Sequence, residues 1–302
     1  MNETPGGIQI ERAISAFALP LARTKHLSTA ATFRLRSGDS FHRTTPRVHH
    51  VTRFLMTSAT LVSRLSAPLI ALFVTFGTMC APVRAEDARK VTVVSFGLFG
   101  DQGVFRREAT GAAQIVGSRF GHGAVVVRFN TKTGGGATLK ALAATLQAEA
   151  KKMNGESDIL FLVLTSHGSP DGLAVTAGRR AETLKPSTLA EMLERTGVRR
   201  KVVVISACYS GVFIPRLANA DTLVITAADA NHASFGCEDK AKWTYFGDAF
   251  FNTALRQTKT LKEAFLLART LVSKRELRQG FDPSHPQMAG GANVEPLLVA
   301  RP

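Results

Sequence analysis

Lys201 to Pro215 reads KVVVISACYSGVFIP. Lys201 to Ser206 is a β-branched apolar run, the composition of a strand buried on both faces, and it ends abruptly in small residues around Cys208. Cys208 therefore falls at the carboxyl end of a strand, where open α/β sheets build their sites. Upstream, Asp158 to Thr165 (DILFLVLT) is a second run of the same kind. It empties into Ser166, His167, Gly168, Ser169, Pro170, Asp171 and Gly172, a loop of turn residues. If these strands are neighbours in a parallel sheet, imidazole and thiol project from one rim, close enough for a base and a nucleophile. The chain between them is long enough for one right-handed crossover with its helix. Taken singly, a cysteine in apolar surroundings is usually a small hydrophobe and a histidine a satisfied polar residue. The joint placement at two strand ends, each beside a glycine-bearing loop, is what points to chemistry.

The flanking chain alternates strand and helix patterns. Val91 to Phe96 reads as a strand, Gly97 to Gly103 as a loop, Phe105 to Phe120 as a helix and Ala124 to Phe129 as a strand. A polar glycine-rich loop over Thr131 to Gly136 precedes a helix over Ala137 to Lys152. Pro186 and Ser187 open a helix that runs to Arg195. Beyond Cys208 come a strand over Thr222 to Thr226, a long polar loop over Ala228 to Lys242, and helices near Thr244 to Leu255 and Leu261 to Leu277. Gly290 and Gly291 begin a weakly patterned tail. This alternation predicts an α/β fold, a three-layer α/β/α sandwich on a mostly parallel central sheet. Gly134-Gly135-Gly136 is no phosphate loop, because it lacks the Gly-Lys-Ser/Thr ending.

SHGSPDG, then SACYSG, then ITAADANHASFGCEDKAKWTYFGDAFFNTAL together resemble the bacterial branch of the legumain-type cysteine peptidases, within the caspase-like grouping. The resemblance runs from about Val91 to about Gly290. It implies a caspase-like fold and a catalytic dyad of His167 and Cys208, with the backbone amides of Gly168 and Cys208 as oxyanion donors. It further implies a pocket for Asn or Asp, with Ser234 and Asp248 at matching positions and Arg106 as the match for the family's arginine. Ser206, expected from its position to face substrate with these three, stands where the family has an acidic residue two positions before its nucleophile, and Ser166 where an aspartate precedes the histidine. Asp248 alternatively caps the following helix, and Arg106 is alternatively a solvated surface charge.

Composition sets the rest. The 302 residues, 45 % hydrophobic and 20 % charged, describe a globular protein. Of the net charge of +15, residues 1–85 carry ten Lys or Arg against three Asp or Glu, a net of +7, which leaves +8 for the remainder. That remainder shows no basic run with interleaved aromatics, so no nucleic-acid partner is expected. Residues 1–55 lack apolar periodicity and read as a disordered leader or a start placed too far upstream. Residues 56–85 read as a signal peptide: Arg64, the apolar Leu69 to Cys80, then Ala81 to Ala85 with cleavage after Ala85. The expectation is an exported protein, periplasmic or secreted, with 86–302 as the peptidase domain and no stable membrane insertion. Cleavage removes Cys80 and leaves Cys208 and Cys237, too few for a disulfide framework, and the catalytic reading requires Cys208 to be reduced. The eight histidines and three cysteines show no zinc spacing, so no metal or cofactor is expected.

The sequence thus predicts an endopeptidase that acts on a peptide or protein substrate through a thioester acyl-enzyme. A catalytically silent peptide-binding scaffold on the same fold, and a transpeptidase or transamidase, are the alternatives.

Overall fold

Uninterrupted apolar runs are stable only where both faces of a sheet are covered, and the computed structural model puts them there. It describes residues 89–300, so the leader over 1–55 and the signal segment over 56–85 lie outside the described residues. The element order is β1 (Val91–Gly97), α1 (Gly103–Phe120), β2 (Val125–Thr131), β3 (Gly134–Gly135), α2 (Leu139–Ala150), β4 (Ile159–Thr165), β5 (Gly168–Ser169), β6 (Gly172–Ala177), β7 (Arg180–Leu184), α3 (Pro186–Glu194) and β8 (Arg200–Ser206). There follow α4 (Ile214–Leu217), β9 (Thr222–Thr226), α5 (245–257), α6 (Leu261–Gln279) and β10 (Gln287–Gly290).

The main sheet has the order β10-β9-β8-β4-β1-β2-β3. Its five central strands are parallel, with β10 and β3 antiparallel at the edges. Side chains alternate between two cores. Ile159, Phe161 and Val163 of β4, with Val202 and Val204 of β8, pack towards α1, α5 and α6. Leu160, Leu162 and Leu164, with Val203 and Ile205, pack towards α2, α3 and α4. The fold is therefore the expected three-layer α/β/α arrangement.

Several features differ from the sequence reading. β3 and β5 are two-residue strands inside stretches read as loops. A hairpin, β6 with β7, fills the chain between Gly172 and Leu184; four of the five β7 residues are exposed, so no apolar run marks it. The tail expected from Gly290 is preceded by β10, which pairs with β9 from Gln287. The helix expected over Thr244 to Leu255 contains a π-helical segment, Asp248–Ala254. Elsewhere the expected boundaries hold to within about two residues. No helix among the described residues is long and apolar enough to cross a membrane.

Candidate active site

β4 and β8 are adjacent and parallel, with Thr165 opposite Ser206, so His167 and Cys208 each lie two residues beyond a matched pair. The Ser166 N–H donates to the Ser206 carbonyl at 3.2 Å and carries the pairing one step past the strands. Gly168 then presses on the backbone of Cys208: a Cβ there would lie 2.0 Å from its carbonyl oxygen. Only glycine permits that approach.

The His167 ring is held from a third strand end. Nε2 lies 2.5 Å from Oε1 of Gln102, in the β1–α1 loop. An amide oxygen has no hydrogen to give, so Nε2–H donates and the lone pair of neutral imidazole resides on Nδ1. Phe99 and Phe105 meet the ring edge-on at centroid distances of 4.7 and 5.0 Å. Burial among these rings lowers the His167 pKa and favours the neutral imidazole. The loop itself is fixed, because Leu98 N–H bonds to the Thr165 carbonyl at 3.0 Å and Gly100 N–H to the Thr176 carbonyl at 2.9 Å. Gln102 escaped the sequence reading; its position just past a strand neighbouring β4 was the available signal.

Cys208 is engaged by Ser234 in the long loop after β9. The Ser234 N–H donates to Sγ at 3.3 Å, the thiol faces the Ser234 carbonyl at 3.3 Å, and the Ser234 hydroxyl lies 3.8 Å from Sγ. Tyr209, the next residue, adopts φ 53°, a left-handed conformation uncommon outside glycine, at the turn that presents Cys208. Both Cys208 and Cys237 are free thiols. Burial, with the nearby Cys208 and Glu108 adding to it, pushes the Cys237 thiol far above its ordinary 9.0, so it stays protonated and unreactive.

Beneath the rim sits a carboxylate the sequence reading missed. Glu108 of α1 is fully buried. It accepts from the Thr165 hydroxyl at 2.9 Å and the Thr244 N–H at 2.7 Å. Burial raises its pKa, and the bonds from Ser206, Thr244 and Thr165 offset part of the rise. Ser206 belongs to this network: it is 1 % exposed and its hydroxyl lies 3.1 Å from that of Thr244. In place of the substrate-facing position expected of it, Ser206 ties β8 to α5. A carboxyl whose folded pKa exceeds its unfolded value binds its proton more tightly when folded. Its stabilising contribution is complete below the unfolded pKa and is lost as pH rises through the folded one. We therefore expect Glu108→Gln to flatten the decline in melting temperature between about pH 4.5 and neutrality. Parallel wild-type and variant profiles across that window would contradict this.

Of the expected pocket residues, Ser234 alone contacts the sulfur. The Arg106 guanidinium lies over the Phe129 ring at 5.7 Å. Asp248 faces a groove beside α1 and α5, where it pairs with Arg275 at 3.6 Å and accepts from Asn252 at 2.9 Å. Arg106 and Asp248 share no hydrogen bond or ion pair among the described residues. Nor does Asp248 cap α5, since the Thr244 hydroxyl accepts the capping bond from Gly247 at 2.9 Å. No three His, Cys, Asp or Glu side chains among the described residues come together as a metal site.

An imidazole with its lone pair on Nδ1, beside a reduced thiol on the next strand end, can generate and protonate a sulfur nucleophile. The Peptidase C13 family model matches residues 137–292, just over half of the chain and the part that contains both His167 and Cys208. Among solved structures, the crystal structure of caspase-1 from Spodoptera frugiperda matches with a TM-score of 0.47 and 13 % identity, over 68 % of this chain and 89 % of that one. No curated protein matches the chain.

Proposed function

Because the chain belongs to the peptidase C13 family of legumain-type cysteine peptidases, we propose that it is an endopeptidase whose nucleophile is Cys208 and whose base is His167. The observation that carries this reading is the seating of Gly168 against the Cys208 carbonyl while Gln102 holds the imidazole of the preceding residue. With Nε2–H spent on Gln102, Nδ1 takes the thiol proton. The thiolate attacks the substrate carbonyl, a C–S bond forms, and the oxyanion is met by the N–H groups of Gly168 and Cys208. Protonated His167 then gives its proton to the leaving amine as the C–N bond breaks. Water, deprotonated by the same nitrogen, opens the thioester and restores the thiol. Gln102 orients the base throughout and exchanges no proton.

The side chains to test first at the cleaved bond are Asn and Asp, with Ser234 as the selecting group already beside the sulfur. The compartment we propose is outside the cytoplasm. The support is the apolar stretch Leu69 to Cys80 and the small-residue ending at Ala85, with 86–302 as the mature domain.

The test is incubation of the purified chain with peptides that vary at one central residue, followed by mass spectrometry of the products. The expected result is cleavage after Asn or Asp, with water incorporated at the new carboxyl terminus. Cleavage after other residues would remove the preference and leave the peptidase. Products joined to an added amine at the expense of hydrolysis would make the enzyme a transferase. No cleavage of any peptide by protein with reduced Cys208 would leave a peptide-binding scaffold.

A further inference from the structure

We propose that Asp229 and His232 form a positioning pair that shapes the wall around Cys208; this rests on the peptidase reading above. The chain from Ala228 to Ser234 has no helix or strand of its own, yet four hydrogen bonds donated by backbone N–H groups lay it along the Cys208 turn. Ala228 N–H donates to the Ser210 hydroxyl at 3.1 Å, and Gly211 N–H to the Asp229 carbonyl at 3.3 Å. Tyr209 N–H donates to the His232 carbonyl at 2.9 Å, and Ser234 N–H to the Cys208 sulfur at 3.3 Å. The second and third of these bonds hold the turn in which Tyr209 is left-handed. The fourth aims a donor at the reacting atom.

What gives this segment its shape is one carboxylate. Asp229 Oδ1 accepts the Asn231 N–H at 2.8 Å, and its two oxygens take His232 Nδ1 at 2.7 and 2.8 Å. The carboxyl is held below its ordinary 3.8 by the Asn231 N–H and by His232, against the opposing effect of its burial. The far side of the clamp is anchored as well. Asp229 N–H donates to the Ser284 carbonyl at 3.0 Å, Ser284 N–H donates to Glu276 of α6 at 3.2 Å, and the His285 ring packs edge-on against His232 at 4.8 Å. The pair therefore fixes the His232 carbonyl that accepts from Tyr209 and the Ser234 N–H that donates to the sulfur, through chain pinned to the body of the protein. Among the described residues neither side chain bonds to Cys208, so both act through the backbone they hold.

Such a role separates from plain structural support by what it changes. On the full chain with a peptide the wild type cleaves, Asp229→Ala is expected to lower kcat about tenfold or more while KM moves less than about twofold. Alkylation of Cys208 by iodoacetamide at fixed pH, followed by peptide mapping, is expected to slow in step. Asp229→Asn keeps an acceptor for the Asn231 N–H and is expected to recover most of the loss. Should Asp229→Ala fail to fold, His232→Ala leaves the backbone acceptor in place and is expected to show the same fall in kcat and in alkylation. Folded variants with wild-type kcat and wild-type alkylation would overturn the assignment, as would a change confined to KM. A wild type inert towards every peptide overturns the peptidase reading instead, and the alkylation comparison then still decides whether the pair shapes the surroundings of the sulfur.

Discussion

Cys208→Ala and His167→Ala are each expected to reduce peptide cleavage by about a thousandfold or more, and the double variant to be no worse than either alone. That outcome is expected because base and nucleophile act on one proton: with the thiol gone the imidazole has nothing to activate, and with the imidazole gone the thiol stays protonated. The two residues come from separate strands, and the parallel pairing of Thr165 with Ser206 brings their loops together. Neither substitution removes a core side chain, so melting temperatures are expected to stay close to wild type. Steady-state kinetics of the three variants on one peptide decide the matter. Multiplicative losses, or a His167→Ala protein with ordinary activity, would mean that the two residues work apart.

The second large effect is expected from a single methyl group. Gly168→Ala places a Cβ 2.0 Å from the Cys208 carbonyl oxygen, with the carbonyl carbon at 3.1 Å and the Ala207 Cβ at 3.2 Å. The obstruction is backbone, which cannot rotate aside, so one loop has to move. Overpacking of this kind typically costs about 1–3 kcal/mol in stability. The functional loss is expected to be larger: displacing Gly168 shifts its own N–H and the imidazole beside it, and one lost oxyanion donor alone lowers kcat by about 100-fold or more. Kinetics paired with thermal melting separate the two effects. A folded Gly168→Ala variant with wild-type kcat would show that this contact does not set the geometry of the site.

The parts of this molecule that were legible in its sequence share a physical cause. β4 and β8 sit at the centre of the sheet, buried on both faces, so each is written as an unbroken apolar run that ends where the strand ends. His167 and Cys208 inherit their places from those endings. β7 and the edge strand β10 carry no such run, because much of their surface meets solvent, and β6, though buried or half-buried along its length, brings only Leu173 to Val175 as an apolar stretch. Gln102 and Glu108 matter through partners 65 and 57 residues away in the chain. No local pattern distinguishes them from an ordinary loop amide and an ordinary helix acid. Ser206 was placed by alternation on the face that turns out to hold Glu108, which is why it is buried rather than open to substrate. Matching of motifs assigned Arg106 and Asp248 to one substrate pocket; in the fold the Arg106 guanidinium lies over Phe129 and the Asp248 carboxylate pairs with Arg275, partners that no motif announces.

Glu108 also explains why the rim tolerates so many small polar residues. Thr165, Ser206 and Thr244 come from two strands and a helix start, and one carboxyl group unites them. Replacing any one would leave a buried partner unsatisfied, which typically costs about 1–3 kcal/mol.

The measurement that bears most directly on the account is covalent labelling of the purified chain, under reducing conditions, with peptide acyloxymethyl ketones that end in Asn, Asp, Arg or Lys. Peptide mass mapping locates the adduct, and His167→Ala serves as the control. The expected result is a single adduct on Cys208, strongest with the Asn or Asp probe and absent in the control. Reduced Cys208 left unlabelled by all four probes, or labelled equally without His167, would contradict it.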